Sequence, residues 1–343
     1  MAEWAAPLRV EPLPALLTPN NQAIRYFARR DLLQEDAGPI DGLWTLPAVQ
    51  HILGKQQVDG SWRYPGRNRE IYKETNYDLL ETFRQIGILV AMYGLDRRHP
   101  ALRAAAAYLL SCQTEEGDIR GILGTQYMPY YHGAILELLI KAGYDNDNRV
   151  RSGLEWLLSM RQHNGGWIVP MQAVPAKEKT REMWSASPVP PDRSRPFSQL
   201  ATGMALRPFA AHADYRQLEA VSAAAHCLKS RFFKPDKYND RKAPAYWTKF
   251  QYPFWWTNIL TALDTLSWLG VGADDEDVQQ ALQWFVDNQQ DDGLWRTSYE
   301  QTKRTEPSVK EDEAMHWVGL AVCRVFQRFH ALQTHPRCAI LVP

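Results

Sequence analysis

The chain has no surplus of either charge. Its 343 residues carry 39 Lys and Arg against 39 Asp and Glu, so the formal net charge is zero. A nucleic-acid binder would show a basic surplus, and that class is excluded. Cysteine is scarce. Cys112, Cys227, Cys323 and Cys338 stand far apart and none forms a C-x-x-C pair. No disulfide framework is expected, and the cytoplasm is the expected compartment. No stretch approaches the roughly 20 apolar residues of a membrane span. The segment from Met1 to Pro19 lacks a long apolar run and is interrupted by Glu3, Arg9 and Glu11, so it does not read as a signal peptide. Strand-like alternation is also scarce, which leaves little for a β fold.

Aromatics are plentiful, with 13 Trp and 15 Tyr. Most belong in a core, and a subset could line a cavity. Helical periodicity dominates. Ile135, Leu138 and Leu139 form one stripe, and Leu154, Leu157 and Leu158 another, at the spacings of amphipathic helices. Gly94, Gly143 and Gly270 each stop a helical run. The helices fall into pairs. First members are expected near 20–34, 75–94, 127–143, 197–212, 253–270 and 311–331. Second members are expected near 46–57, 99–113, 147–162, 214–230 and 275–289. The expected organisation is an extended segment over 1–19, one helical domain over 20–332 and a tail over 333–343.

A short phrase punctuates the pairs: Gln, then an acidic residue or Asn beside Gly, then usually Trp. It reads Gln56 to Trp62, Gln162 to Trp167 and Gln289 to Trp295, with a version from Gln113 to Ile119 that lacks Trp. Recurrence at roughly fifty residues signals a repeat architecture. In such a phrase Gly permits a positive-φ turn, Gln can satisfy helix-terminal backbone groups, and Trp packs between units. Two connections are long. The proline-rich segment from Trp167 to Pro196 is either a lid or disordered. The basic and aromatic segment from Arg231 to Pro253 reads as a lid.

These phrases resemble the QW-type repeats of the terpenoid cyclase and protein prenyltransferase superfamily, over nearly the whole chain from 20 to 331. The resemblance implies an all-α fold, an α/α toroid of about six inner and five outer helices with the last repeat incomplete. The first members would be the inner helices, and a deep cavity would open at one end. Each phrase feeds the N-terminus of the next inner helix, so those N-termini gather there. Tyr77, Tyr127, Tyr130, Tyr131, Trp247, Tyr252, Trp255, Trp256, His316 and Trp317 are the expected substrate-binding residues. Asp78, Glu311, Asp312 and Glu313 are the acid/base candidates, with His132 assisting. Arg67, Arg69 and Lys73 could hold an anion such as a diphosphate at converging helix N-termini.

The resemblance is incomplete. The D-x-D-D acid motif of class II terpenoid cyclases is missing. The nearest run by composition, Asp274 to Asp277, opens an outer helix and reads as an N-cap cluster. The nearest by position, Glu311 to Glu313, opens the last inner helix. A helix N-terminus stabilises its carboxylates, which works against a strong acid unless burial intervenes. No cysteine lies beside an Asp, so the prenyltransferase zinc set is absent and no metal or cofactor is implied. The expected activity is cyclase, isomerase or lyase chemistry on a small isoprenoid or other apolar molecule. Two alternatives stand beside it: a carbohydrate-active toroid, and a lipid-binding toroid without turnover. Oligomeric state is not legible.

Overall fold

A computed structural model describes residues 2–66, 73–238, 241–297 and 309–334. Among the described residues, eleven helices make up the repeats. The inner members are α1 (Gln22–Phe27, continued by a π-turn over Ala28–Leu33), α3 (Tyr77–Tyr93), α5 (Pro129–Leu139), α7 (Gln199–Ala211), α9 (Ile259–Trp268) and α11 (Val309–Thr334). The outer members are α2 (Pro47–Leu53), α4 (Pro100–Ser111), α6 (Asn148–Ser159), α8 (Glu219–Lys229) and α10 (Glu276–Asp287). Among the described residues there is no strand, only isolated β-bridges. The fold is all-α with inner and outer helices in the alternating order. No helix among the described residues is long and apolar enough to cross a membrane.

Burial separates the two kinds of helix. Every residue of α7 and all but Tyr131 of α5 is buried. Their polar members, His132, Glu137, Gln199, Thr202 and Arg207, are buried with the apolar ones. The outer α6 buries Val150, Gly153, Leu154, Trp156 and Leu157 and turns Arg149 and Arg151 outward. One boundary moved. α9 begins at Ile259, not 253, because Asn258 makes a capping box: its side chain accepts from Thr261 N–H at 2.9 Å, and its own N–H donates to Thr261 Oγ1 at 2.9 Å. Tyr252, Trp255 and Trp256 therefore precede the helix.

The helices group into two compact units. One comprises 41–228 and 236–242, and holds α2 to α8. The other comprises 1–40, 229–235 and 243–343, and holds α1 with α9 to α11.

The phrases act as clasps. Gln56 Nε2 donates to Gly60 O at 2.9 Å and to Ala101 O, at the head of α4, at 2.8 Å. Gln113 Nε2 does the same to Gly117 O and to Arg149 O of α6. Gly60, Gly117, Gly165 and Gly293 all have positive φ. At Gly60 a Cβ would come within 2.3 Å of Ala104 O, so close approach also requires glycine. The Trp62, Trp167 and Trp295 indoles donate to Ile52 O, Leu157 O and Phe285 O, within the last turn of the preceding helix. Asp275 caps α10 and pairs with Lys229 at 2.5 Å, as an outer-helix N-cap should.

Candidate functional site

In the unit of α2 to α8, the expected residues gather near the N-termini of α3 and α5. Asp78, in the first turn of α3, accepts from Tyr64 N–H at 2.8 Å. The Tyr64 and Tyr77 rings lie 5.0 Å apart. Tyr130 and Tyr131 are paired at 4.8 Å, and Tyr131 meets the edge of Phe83 at 5.6 Å. Tyr127 is half-buried. Its hydroxyl donates to Glu116 at 2.7 Å, and Arg120 covers its ring at 4.8 Å. Lys73 is exposed, and Arg67 and Arg69 lie outside the described residues.

His132 is wholly buried and has both ring nitrogens occupied. Ile119 N–H donates to Nδ1 at 3.0 Å, so the proton sits on Nε2, which donates to Gly153 O at 2.9 Å. Burial pushes its pKa down to about 4, with the Gly153 bond and Asp118 opposing. The repeat explains this placement. Trp62 N–H donates to Thr82 Oγ1 and Trp167 N–H to Thr202 Oγ1, at 2.9 and 3.0 Å. His132 fills the same role for Ile119, in the phrase that lacks Trp. The imidazole is a strut, held away from the assisting role its place near the α5 N-terminus suggests.

In the other unit, Tyr252 lies flat on Trp317, with ring centroids 5.3 Å apart and planes 6° apart. Phe254 meets the edge of Tyr252 at 5.2 Å, and Phe27 is 6.2 Å from Trp317. Trp255 and Trp256 are half-buried. Glu313 stands one turn before Trp317 on α11 and accepts from Asn21 Nδ2 at 2.7 Å. Glu311 is half-buried, and Asp312 is exposed. His316 Nδ1 lies 2.7 Å from Asp312 O in its own helix. Trp247 is buried with its indole donating to Lys234 O at 2.9 Å, so it anchors its loop.

Sequence reasoning passed over the buried charges. Arg324 on α11 grips Asp31 at 2.5 Å and donates to the Tyr252 hydroxyl at 3.4 Å. Burial pushes the Asp31 carboxyl up, but the Arg324 and Arg30 guanidiniums outweigh it and hold it below the usual range. Four residues on, Arg328 pairs with Asp264 and donates to Ser267 Oγ at 2.8 Å. In the first unit, Glu137 of α5 pairs with Arg207 of α7 at 2.5 Å and with Lys141 at 2.7 Å. Burial raises Glu137, and the two cations overcome that and hold it low. The signal was visible for Glu137, Arg207, Asp264, Arg324 and Arg328, each a charge inside an apolar inner-helix run, which is tolerated only when paired. A groove of 790 Å³ lies at the far end of α11, bordered by Trp4, Pro7, Leu282, Val286, Phe326 and Phe329. None of the expected site residues borders it.

No family model matches the chain. A stretch of 129 residues is 30% identical to a protein of Sinorhizobium fredii described as a probable squalene–hopene cyclase. The match takes in 34% of this chain and 20% of that protein, so the chain matches about a fifth of its relative's length. Over that third of the chain the sequence is similar to a terpenoid cyclase. Among solved structures, the type II terpene cyclase MstE of Scytonema, in complex with its product merosterolic acid A, aligns at 12% identity. That alignment covers 84% of this chain and 96% of MstE, with a TM-score of 0.34. Its complex with the substrate geranylgeranyl dihydroxybenzoate gives 12%, 85%, 97% and 0.34. A protein from Actinoplanes gives 16%, 82%, 97% and 0.31. At these TM-scores the superpositions place no residue of this chain.

Proposed function

We propose that the protein is a terpenoid-cyclase-like enzyme that rearranges a small isoprenoid or similarly apolar molecule by acid/base chemistry. The observation that carries this reading is the Tyr252–Trp317 stack with Glu313 one turn away on α11. Aromatic faces stabilise cations, and a carboxyl in its acid form can start one. Protonation of an alkene forms a C–H bond and leaves a carbocation. Loss of a proton from a neighbouring carbon restores the alkene and the acid, so the reaction is an isomerisation or cyclisation with no co-reactant. The sequence match to a probable squalene–hopene cyclase supports the same class. Asp78, beside the Tyr64–Tyr77 pair, is the second acid/base candidate.

The test is incubation with squalene, geranylgeraniol and their terminal epoxides, followed by gas chromatography and mass spectrometry. Cyclised or double-bond-shifted products are expected from the wild type. Glu313→Gln should abolish them, and Asp78→Asn should alter their yield or distribution. Products undiminished in both variants would refute the assignment of these acids.

A further inference from the structure

Residues 172–197 include no buried side chain, although Trp167–Met171 before them and Ser198–Ala211 after them are buried throughout. Twenty-six consecutive residues thus cross the unit of α2 to α8 without contributing to its core. Buried glutamines hold them instead. Gln126, 1% exposed, donates from Nε2 to Met183 O at 2.5 Å and accepts at Oε1 from Val189 N–H at 2.8 Å. Beside it Thr125 N–H donates to Trp184 O at 2.9 Å, and its hydroxyl donates to Ala186 O at 2.5 Å. The far end is held by Gln162, whose Nε2 donates to Asp192 O at 2.7 Å and to Arg195 O at 3.0 Å. Gln56 and Gln113 instead give one bond to the phrase glycine and one to the next outer helix. The third phrase has been diverted to tie down this strap.

The strap lies against the inner-helix ends of its unit. A Cβ on Gly124 would sit 2.1 Å from Trp184 O and 3.3 Å from the Glu74 Cβ, so strap, turn and Glu74 are in close succession. Asn76, the N-cap of α3, donates its N–H to Gly121 O in the same turn at 2.9 Å. Glu74 Oε2 is sealed from solvent and has no hydrogen-bond partner among the described residues.

We infer that residues 174–196 form a latched lid over the α3 end of their unit, with Gln126 as the catch and Glu74 as the acid sealed in the same corner. A segment with no buried apolar side chain opens locally at a fraction of the free energy of global unfolding. Its catch is nonetheless definite. A buried amide that loses its partners must be reached by water, so the lid is either bonded and dry or open and wet. The opening is independent of any substrate. Its use as a ligand gate rests on the apolar-substrate reading above.

Amide hydrogen exchange on the full chain tests the lid. The reporter is the Thr125 amide, which is bonded to the strap at Trp184 O; the Gln126 side chain reaches Thr125 only at its hydroxyl, at 3.5 Å. In the wild type it should exchange well ahead of the α7 core amides. Gln126→Ala should accelerate it about tenfold to thirtyfold, as the loss of two ordinary hydrogen bonds implies, and leave α7 unchanged. Gln126→Glu, which keeps the acceptor and loses the donor, should fall between. A Thr125 amide that exchanges only at the α7 rate in the wild type would overturn the lid, whatever the variants do. The gate is read separately, from the rate of geranylgeraniol uptake followed by tryptophan fluorescence. Faster uptake in Gln126→Ala supports it. An unchanged uptake rate with accelerated exchange overturns the gate and keeps the lid. No geranylgeraniol binding in any form, with exchange as expected, counts against the apolar-substrate reading and leaves the lid standing.

Discussion

Replacing His132 separates a structural imidazole from a catalytic one. Alanine at 132 would leave Ile119 N–H and Gly153 O buried and unbonded. At about 1–3 kcal/mol for each group, the loss is about 2–6 kcal/mol before any cavity cost. Threonine, which fills this role at 82 and 202, could still accept from Ile119 N–H and should recover about 1–3 kcal/mol of that. The pH dependence is a second signature. The folded-state pKa is depressed from 6.5 to about 4. The unfolded chain therefore binds the proton first as pH falls. The stabilisation is fully present above about pH 6.5 and is lost progressively down to about pH 4. At about 1.4 kcal/mol per tenfold, that window is worth about 3 kcal/mol. Urea denaturation at pH 7.0, 5.5 and 4.5 measures it, and the wild type minus His132→Thr removes the contribution of other groups. If the two proteins lose stability in parallel from pH 7.0 to 4.5, the imidazole does not titrate as a buried neutral strut and the reasoning fails.

Other perturbations probe the clasps and the buried pairs. Glu137→Gln leaves Arg207 and Lys141 facing a neutral amide, and should cost about 3–5 kcal/mol in denaturation at pH 7. Because the folded Glu137 carboxyl is held low, that difference should narrow as pH falls below about 4; a gap that widens would contradict the pairing. Gly60→Ala must place a Cβ against Ala104 O at positive φ, whereas Gly38→Ala meets only the positive φ. The first should be more destabilising than the second, whose cost is about 1–2 kcal/mol, and equal losses would show that the close approach relaxes freely. Trp167→Ala removes a wholly buried indole bonded to Leu157 O, with an expected loss of about 3–5 kcal/mol in the same assay.

The helices were legible because their cause is local. A stripe such as Ile135, Leu138 and Leu139 needs only its own spacing to declare itself, and Gly94 and Gly143 end their runs through their own φ. The phrase was legible for the same reason: Gln56 and Gly60 meet within five residues. Burial of α7 was expected only from the family resemblance, which made the first members inner helices; its composition includes Gln199, Thr202 and Arg207. Charges inside those runs were passed over, although a charge in an apolar run requires a partner.

The partners came from tertiary structure. Arg324 finds Asp31 across 293 residues, and Gln126 finds Met183 and Val189 across about sixty. Nothing in the chemistry of a buried arginine selects one carboxylate over another; proximity does, and proximity is set by how whole helices pack. The same holds for His132. Its place near the α5 N-terminus suggested a role in chemistry, but the folded chain put a backbone donor on one nitrogen and a backbone acceptor against the other. Sequence determined which segments are helices and which residue types they carry inward. Which polar atoms are satisfied there, and which are free to react, was decided only by the packing, because a hydrogen bond is a condition on distance and direction that residue order does not contain.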